Sequence, residues 1–211
     1  LRSYSASKPN EVGMQEEDVL VFSEQLNTLD HLLMVTNKGN VIYRPVHEIP
    51  DVKWKDMGEH LSQSITNLAM DETVLAVFSY KELDAHKNFV LITKEGYVKQ
   101  TTMNEITPWR TYTTRHMSII KCKSKTDQLV NVFLTDQEKE MDLFLASHQS
   151  FGLRFSLSEV PVVGAKAAGV KSMNLKKEDY VVNGLLVYSE GDTPIVIIKQ
   201  RGAVKRMVAQ E

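Results

Sequence analysis

Four segments of the chain repeat one pattern: LLMVTNKGNVIYRPVHEI (32–49), FVLITKEGYVKQTTMNEI (89–106), LFLASHQSFGLRFSLSEV (143–160) and IVIIKQRGAVKRMVAQE (195–211). Aligned on Gly39, Gly96, Ser150 and Gly202, they are spaced by 57, 54 and 52 residues, and nine residues further on each has an acid: Glu48, Glu105, Glu159 and Glu211. A second anchor runs out of phase with the first. Asp18, Asp71, Asp127 and Asp179, spaced by 53, 56 and 52, each precede an apolar run: VLVF (19–22), ETVLAVF (72–78), QLVNVF (128–133) and YVVNGLLVY (180–188). A period of this length marks units that cannot bury their own apolar faces and must stack on their neighbours.

The apolar runs are short and rich in Val, Ile, Leu and Phe, which reads as buried strand. Lys-Gly, Glu-Gly and Arg-Gly pairs sit between two such runs, where a hairpin turn needs a residue that tolerates positive φ. Each repeat therefore opens with a hairpin and closes with the Asp-led strand. This gives about four strands per unit, and radial repetition of four-stranded sheets is the propeller solution. The expected fold is all-β and propeller-like. One domain spans 1–211, with repeats near 27–84, 85–138 and 139–190 and partial repeats at 1–26 and 191–211. Either the two halves close one ring, or the ring is open or truncated with frayed ends. Ser150 replaces the turn glycine, so that turn is expected to shift register or change type, with Gly152 compensating as a bulge. The stretch 54–68 has room for a turn or two of helix.

Composition adds limits. With 42% apolar and 25% charged residues the chain has ordinary globular composition. Its single cysteine, Cys122, excludes an internal disulfide and fits a reducing cytoplasm. No apolar run approaches the length that spans a membrane, and no leader is evident. Formal net charge is −2, but the charge is segregated. Residues 11–24 hold Glu11, Glu16, Glu17, Asp18 and Glu24 without a cation, whereas 199–206 hold Lys199, Arg201, Lys205 and Arg206 without an acid. Residues 152–177 set Arg154, Lys166, Lys171, Lys176 and Lys177 against Glu159 alone. One basic face is compatible with a net charge near zero.

No pair among the six histidines has zinc spacing, no GxSxG elbow is present, and Tyr43, Tyr97 and Tyr188 fall inside strand patterns. No catalytic residue and no metal or cofactor site is expected. The cations carry more information. Arg44, Lys99, Arg154, Lys205 and Arg206 follow the turns within three to five residues; Lys38, Lys94, Lys199 and Arg201 flank them; Lys171 lies in the basic stretch. If the turns repeat around a disc, these cations recur at one height and suit non-specific phosphate binding. Lysine on surface hairpins for solubility and edge protection is the competing explanation.

The hairpin TKEGYVKQ (93–100), RGAVKRM (201–207) and the closing halves GVKSMNLKKEDYVVNGLLV (169–187) and GMQEEDVLVF (13–22) resemble the repeat found in the C-terminal domains of gyrase and topoisomerase IV A subunits. The stretch 30–65 looks most like topoisomerase IV A subunits of Gram-positive type. The resemblance implies a β-pinwheel, whose four-stranded blades exchange strands and which bends duplex DNA around a basic rim. It also implies a parent enzyme whose cleavage tyrosine, ATP and Mg lie in other domains. Its implied partners are a B subunit plus a second A subunit, reached through those domains. Gyrase A subunits carry a Gly-rich basic box of the form QRRGGKG; the matching YSASKPNEVG (4–13) has one Lys and no Gly pair. That departure favours topoisomerase IV over a gyrase wrapping domain. A propeller that binds protein partners is the alternative of another class.

Overall fold

The computed structural model describes residues 1, 3, 19–53, 56–191, 193–199 and 201–208. Within these the strands are β1 (His31–Thr36), β2 (Asn40–Pro45), β3 (Val74–Tyr80), β4 (Lys87–Thr93), β5 (Tyr97–Thr102), β6 (Met117–Ser118), β7 (Leu129–Asp136), β8 (Met141–Ser147), β9 (Gly152–Ser156), β10 (Val170–Lys171), β11 (Val181–Tyr188), β12 (Pro194–Ile198) and β13 (Val204–Val208). The one α-helical turn, α1 (Leu61–Ser64), falls where the sequence leaves room for it. The chain divides into two compact units: Leu1–Ala85 with Met103–Lys121 and Ala165–Ala167, and His86–Thr102 with Cys122–Gly164 and Ala168–Glu211.

In the first unit one antiparallel sheet has the order β3-β1-β2-β6. Three strands come from one repeat. The fourth, β6, comes from the linker of the next repeat and pairs Met117 with Val41 and Ser118 with Asn40. The second unit repeats the scheme in β10-β5-β4-β7, where Val170 pairs with Val98 and Lys171 with Tyr97. This is strand exchange between successive repeats. The third sheet, β11-β8-β9, and the fourth, β12-β13, have three and two strands among the described residues.

The apolar runs are buried on both faces in the central strands. Leu32 to Val35 of β1 and Phe89 to Ile92 of β4 are nearly inaccessible, so no polar alternation marks them. In the second unit Val90, Ile92 and Val98 pack against Leu143, Leu145, Leu157, Val160, Met173 and Val181. Each fully buried aliphatic side chain contributes about 1.5–3 kcal/mol over its exposed state. Phe144, Val187 and Ile195 form a smaller cluster that seats the β12–β13 hairpin.

All four turns share one geometry. The N–H of Gly39, Gly96, Ser150 and Gly202 donates to the carbonyl three residues earlier at 3.0, 3.0, 3.0 and 2.9 Å. All four residues have positive φ, between 69° and 85°. The expected register shift or change of turn type at Ser150 is therefore wrong. Serine adopts the left-handed conformation itself, and Gly152 pairs in register with Ala146. A side-chain hydrogen bond recurs as well: the Thr36, Thr93 and Ser147 hydroxyls accept from the N–H of Asn40, Tyr97 and Phe151.

The second anchor ties each closing strand to its turn. Asp127 Oδ1 accepts from the N–H of Glu95 and Gln128, and Asp179 Oδ1 from those of Gln149 and Tyr180. In the first repeat the backbone register places Glu72 here rather than Asp71. Asn37 N–H donates to Thr73 O as Lys94 does to Gln128 O and His148 to Tyr180 O. Glu72 accepts from the Thr36 hydroxyl at 2.6 Å, and Asp71 pairs with Lys38 instead. Asp18 and Glu211 lie outside the described residues. The nine-residue acids end 3-10 turns, Glu159 in a capping box with Ser156. The run VLVF (19–22) forms no strand; Val19 is 83% exposed. No strand forms over 19–26, and among the described residues β12 and β13 pair only with each other.

Candidate nucleic-acid interface

The ten cations singled out by sequence fall into three groups. Arg44, Lys99 and Arg154 are turned onto the protein. Arg44 is 7% exposed and its guanidinium donates to the carbonyls of Tyr43, Tyr112 and Thr113 and to the Ser64 hydroxyl at 2.9, 3.0, 3.2 and 2.8 Å. Lys99 is 0% exposed and its ammonium donates to Gly164 O at 3.0 Å. Arg154 pairs with Asp142 at 2.7 Å and reaches the carbonyls of Tyr188 and Ser189. Turn spacing leads to the expectation that these three bind phosphates; here their donors go to protein acceptors. A buried cation must spend its donors on protein acceptors, because leaving them unmet costs more than a phosphate would return.

The register explains the difference. Counted from the turn residue, Lys99 and Lys205 stand at the third position, Arg154 and Arg206 at the fourth, and Arg44 at the fifth. Alternate strand positions face opposite sides of a sheet, so spacing from a turn does not place these side chains on one face. Arg44 and Lys99 act as clasps for the linkers that carry the exchanged strands. Arg44 grips the linker leading to β6, and Lys99 the linker leading to β10. Beside Lys99, the Gln100 amide donates to Leu157 O and Val160 O, and the Thr101 hydroxyl to Val163 O.

Lys38 and Lys94 are half engaged. Lys38 bonds Asp71 at 2.5 Å, which holds the Asp71 carboxyl below its ordinary range. Lys94 stands 4.6 Å over the Tyr180 ring, and His148 stacks on the same ring at 4.7 Å. Such a cation–π contact fixes the ammonium while leaving it open to an anion. Burial acts against the charge of Asp179, but bonds from Gln149, Ser147 and Tyr180, with His148 nearby, outweigh it and hold the carboxyl low.

The third group is exposed, though the Lys171 ammonium lies 6.0 Å from the centroid of the Tyr97 ring. Lys171 on the edge strand β10, and Lys199, Arg201, Lys205 and Arg206 around the last turn, are exposed. All belong to the second unit. The structure adds exposed cations on the linkers that turn spacing could not find. In the first unit these are Arg110, Arg115 and Lys166; in the second, Lys123 and Lys125, with Lys176 placed 4.7 Å over Phe151. Their only sequence signal was local basic composition.

Tyr43 and Tyr80 have hydroxyls raised above the usual range, chiefly by burial, which disfavours the phenolate. No group of three or more His, Cys, Asp or Glu among the described residues could hold a metal ion. No helix among them is long and apolar enough to cross a membrane.

A family model described as DNA gyrase C-terminal domain, beta-propeller, matches residues 30–81, 87–111 and 142–187, more than half of the chain. The A subunit of DNA topoisomerase 4 from Streptococcus pneumoniae serotype 4 is 42% identical over 210 residues, and that from Bacillus subtilis 41%. Each alignment takes in 100% of this chain and 25% of the relative, so the chain spans about a quarter of the length of the curated relatives it matches. The crystal structure of the C-terminal domain of DNA topoisomerase IV matches with a TM-score of 0.85 at 39% identity, over 95% of this chain and 60% of that one. The E. coli ParC C-terminal domain, at 14% identity, shares the fold with a TM-score of 0.75, over 99% of this chain and 82% of that one. With its repeat, its exchanged strands and these matches, the chain belongs to the DNA gyrase C-terminal domain family of β-propellers.

Proposed function

We propose that this chain is a non-catalytic domain that binds and bends duplex DNA in a type IIA topoisomerase, as part of a topoisomerase IV A subunit. It would present the transported duplex for ATP-dependent strand passage, relaxation and decatenation in chromosome segregation. The observation that carries this reading is the recurrence of exposed cations at turns and linkers in a chain of net charge −2. Spaced cations neutralise phosphates and release counterions without reading sequence. Bending by 40–90° over a short site costs on the order of a few kcal/mol, so several such contacts must offset it. The relatives at about 40% identity, both A subunits of topoisomerase 4, support topoisomerase IV over gyrase. In this reading cleavage, ATP and Mg belong to other parts of the enzyme. The same holds for the contacts with a B subunit plus a second A subunit, and the setting is the bacterial cytoplasm. The reading includes one domain over 1–211, which predicts a single calorimetric unfolding transition; two resolved transitions contradict that part.

The test is made in the holoenzyme, with the full-length chain. Changing Lys171, Arg201, Lys205 and Arg206 together to Gln should leave DNA cleavage intact and lower decatenation. Decatenation equal to the parent's at physiological salt contradicts the proposal.

A further inference from the structure

The cations of the first unit that the repeat pattern points to are both engaged, Lys38 by Asp71 and Arg44 by backbone carbonyls. What Arg44 holds is a loop, residues 107–116, on the linker to β6. Its backbone makes two tight turns in succession: Tyr112 N–H donates to Trp109 O at 3.1 Å, and the N–H groups of Thr114 and Arg115 to Thr111 O at 3.1 and 3.0 Å. Three ties fix it. Arg44 donates to the carbonyls of Tyr112 and Thr113. The Tyr112 hydroxyl donates to Glu48 at 2.6 Å while its ring meets Tyr43 edge-on at 4.8 Å. Thr66 N–H donates to Thr114 O at 2.9 Å.

The backbone is held, and the side chains are left outward. Trp109 is 60% exposed. Arg110 and Arg115 are exposed, and neither is in an ion pair among the described residues. Arg115 and His116 line an open depression of about 490 Å³ together with Thr66, Asn67 and Thr114. Its lining is rich in hydrogen-bond donors and has no carboxylate. A guanidinium fork matches two oxygens of a phosphate, and a loop ordered in advance loses little entropy when it binds.

We propose that this loop is a DNA-phosphate site: Arg110 and Arg115 bind backbone phosphates, with one phosphate seated in the depression beside Thr66, Asn67, Thr114 and His116. The proposal rests on the duplex-DNA reading above and adds to it a site in the first unit.

The test titrates the 211-residue chain with a short labelled duplex at several salt concentrations. Arg110→Gln with Arg115→Gln should weaken binding to every sequence and flatten the slope of log K against log salt by roughly 1.8, about 0.9 for each phosphate no longer neutralised. Lys53→Gln with Lys81→Gln, two exposed cations of the same unit outside residues 107–116, is the charge-matched control and should change the slope less. Trp109 emission, read in a Trp54→Phe background, should shift on adding duplex but not on adding inorganic phosphate at equal ionic strength. If the parent binds and the loop pair leaves affinity and slope unchanged, or the control pair acts equally, this site is overturned and the DNA reading stands. A Trp109 response to inorganic phosphate alone makes it a small-anion site and likewise overturns the proposal. A parent chain that binds no duplex at low salt overturns both.

Discussion

Asp127 and Asp179 occupy the same place in successive repeats, each accepting two backbone N–H groups, yet they titrate in opposite directions. Burial is the largest influence on Asp127 and raises its pKa; among the described residues its Oδ2 has no hydrogen-bond partner. Asp179 is lowered. A raised folded pKa gives stability that is present below the unfolded pKa and is lost as pH rises through the folded one; a lowered pKa gives stability that is present above the unfolded value and is lost on acidification. Urea denaturation should therefore show Asp127→Asn gaining on the parent as pH rises from about 4 to 7, and Asp179→Asn losing on the parent as pH rises from about 2 to 4. Changes of the same sign for both contradict the assignment. Ser150 offers a second check at this scale. A left-handed residue with a Cβ is strained by about 1–2 kcal/mol, partly offset by the chain entropy glycine loses. Ser150→Gly should raise stability by up to about 1 kcal/mol, and a clear loss argues against the turn described. Arg44 is the third. Arg44→Met should cost about 1–3 kcal/mol or more, since the carbonyls it serves lose their partner, whereas Lys205→Gln should stay within about 0.5 kcal/mol. Distance from a turn picks these cations out of the sequence, but three, four and five residues from a turn are different faces of a strand. Which face is covered depends on a linker far along the chain, and one sequence does not carry that information.

At the scale of elements, long apolar runs were readable and short exchanged strands were not. β1, β4, β7, β8 and β11 fall within or against the runs that the repeat defines. VLVF (19–22) has the same composition and forms no strand, because a strand also needs a neighbour to receive its hydrogen bonds. β6 and β10 have two residues each, too few for any periodicity; only the family resemblance announced them. β10 depends on Gly169, whose φ is +84° and where a Cβ would lie 2.3 Å from Val98 O. Gly169→Ala should displace β10 and expose the linker after Leu157 to protease, while β4 and β8 amides stay protected. Unchanged cleavage would show that the linker does not need this close approach. Native-state hydrogen exchange should find β12 and β13 the fastest-exchanging strand pair, since theirs is a sheet of two strands among the described residues.

At the scale of the whole molecule, composition hides what arrangement reveals. A net charge of −2 argues against a nucleic-acid partner, and only the segregation of charge keeps that partner open. The structure sorts the cations into those turned onto the protein, those half engaged and an exposed set that meets solvent. The central claim is that the exposed set binds duplex phosphates without reading bases. The most direct measurement is the salt dependence of binding to two duplexes of unrelated sequence, for the parent chain and for the combined Lys171, Arg201, Lys205 and Arg206 to Gln variant. The account predicts equal affinity for both duplexes, a linear fall of log K with log salt, and a slope flatter in the variant by roughly 0.9 for each phosphate it no longer neutralises. Binding that prefers one sequence, binding indifferent to salt, or a variant with the parent's affinity and slope would contradict it.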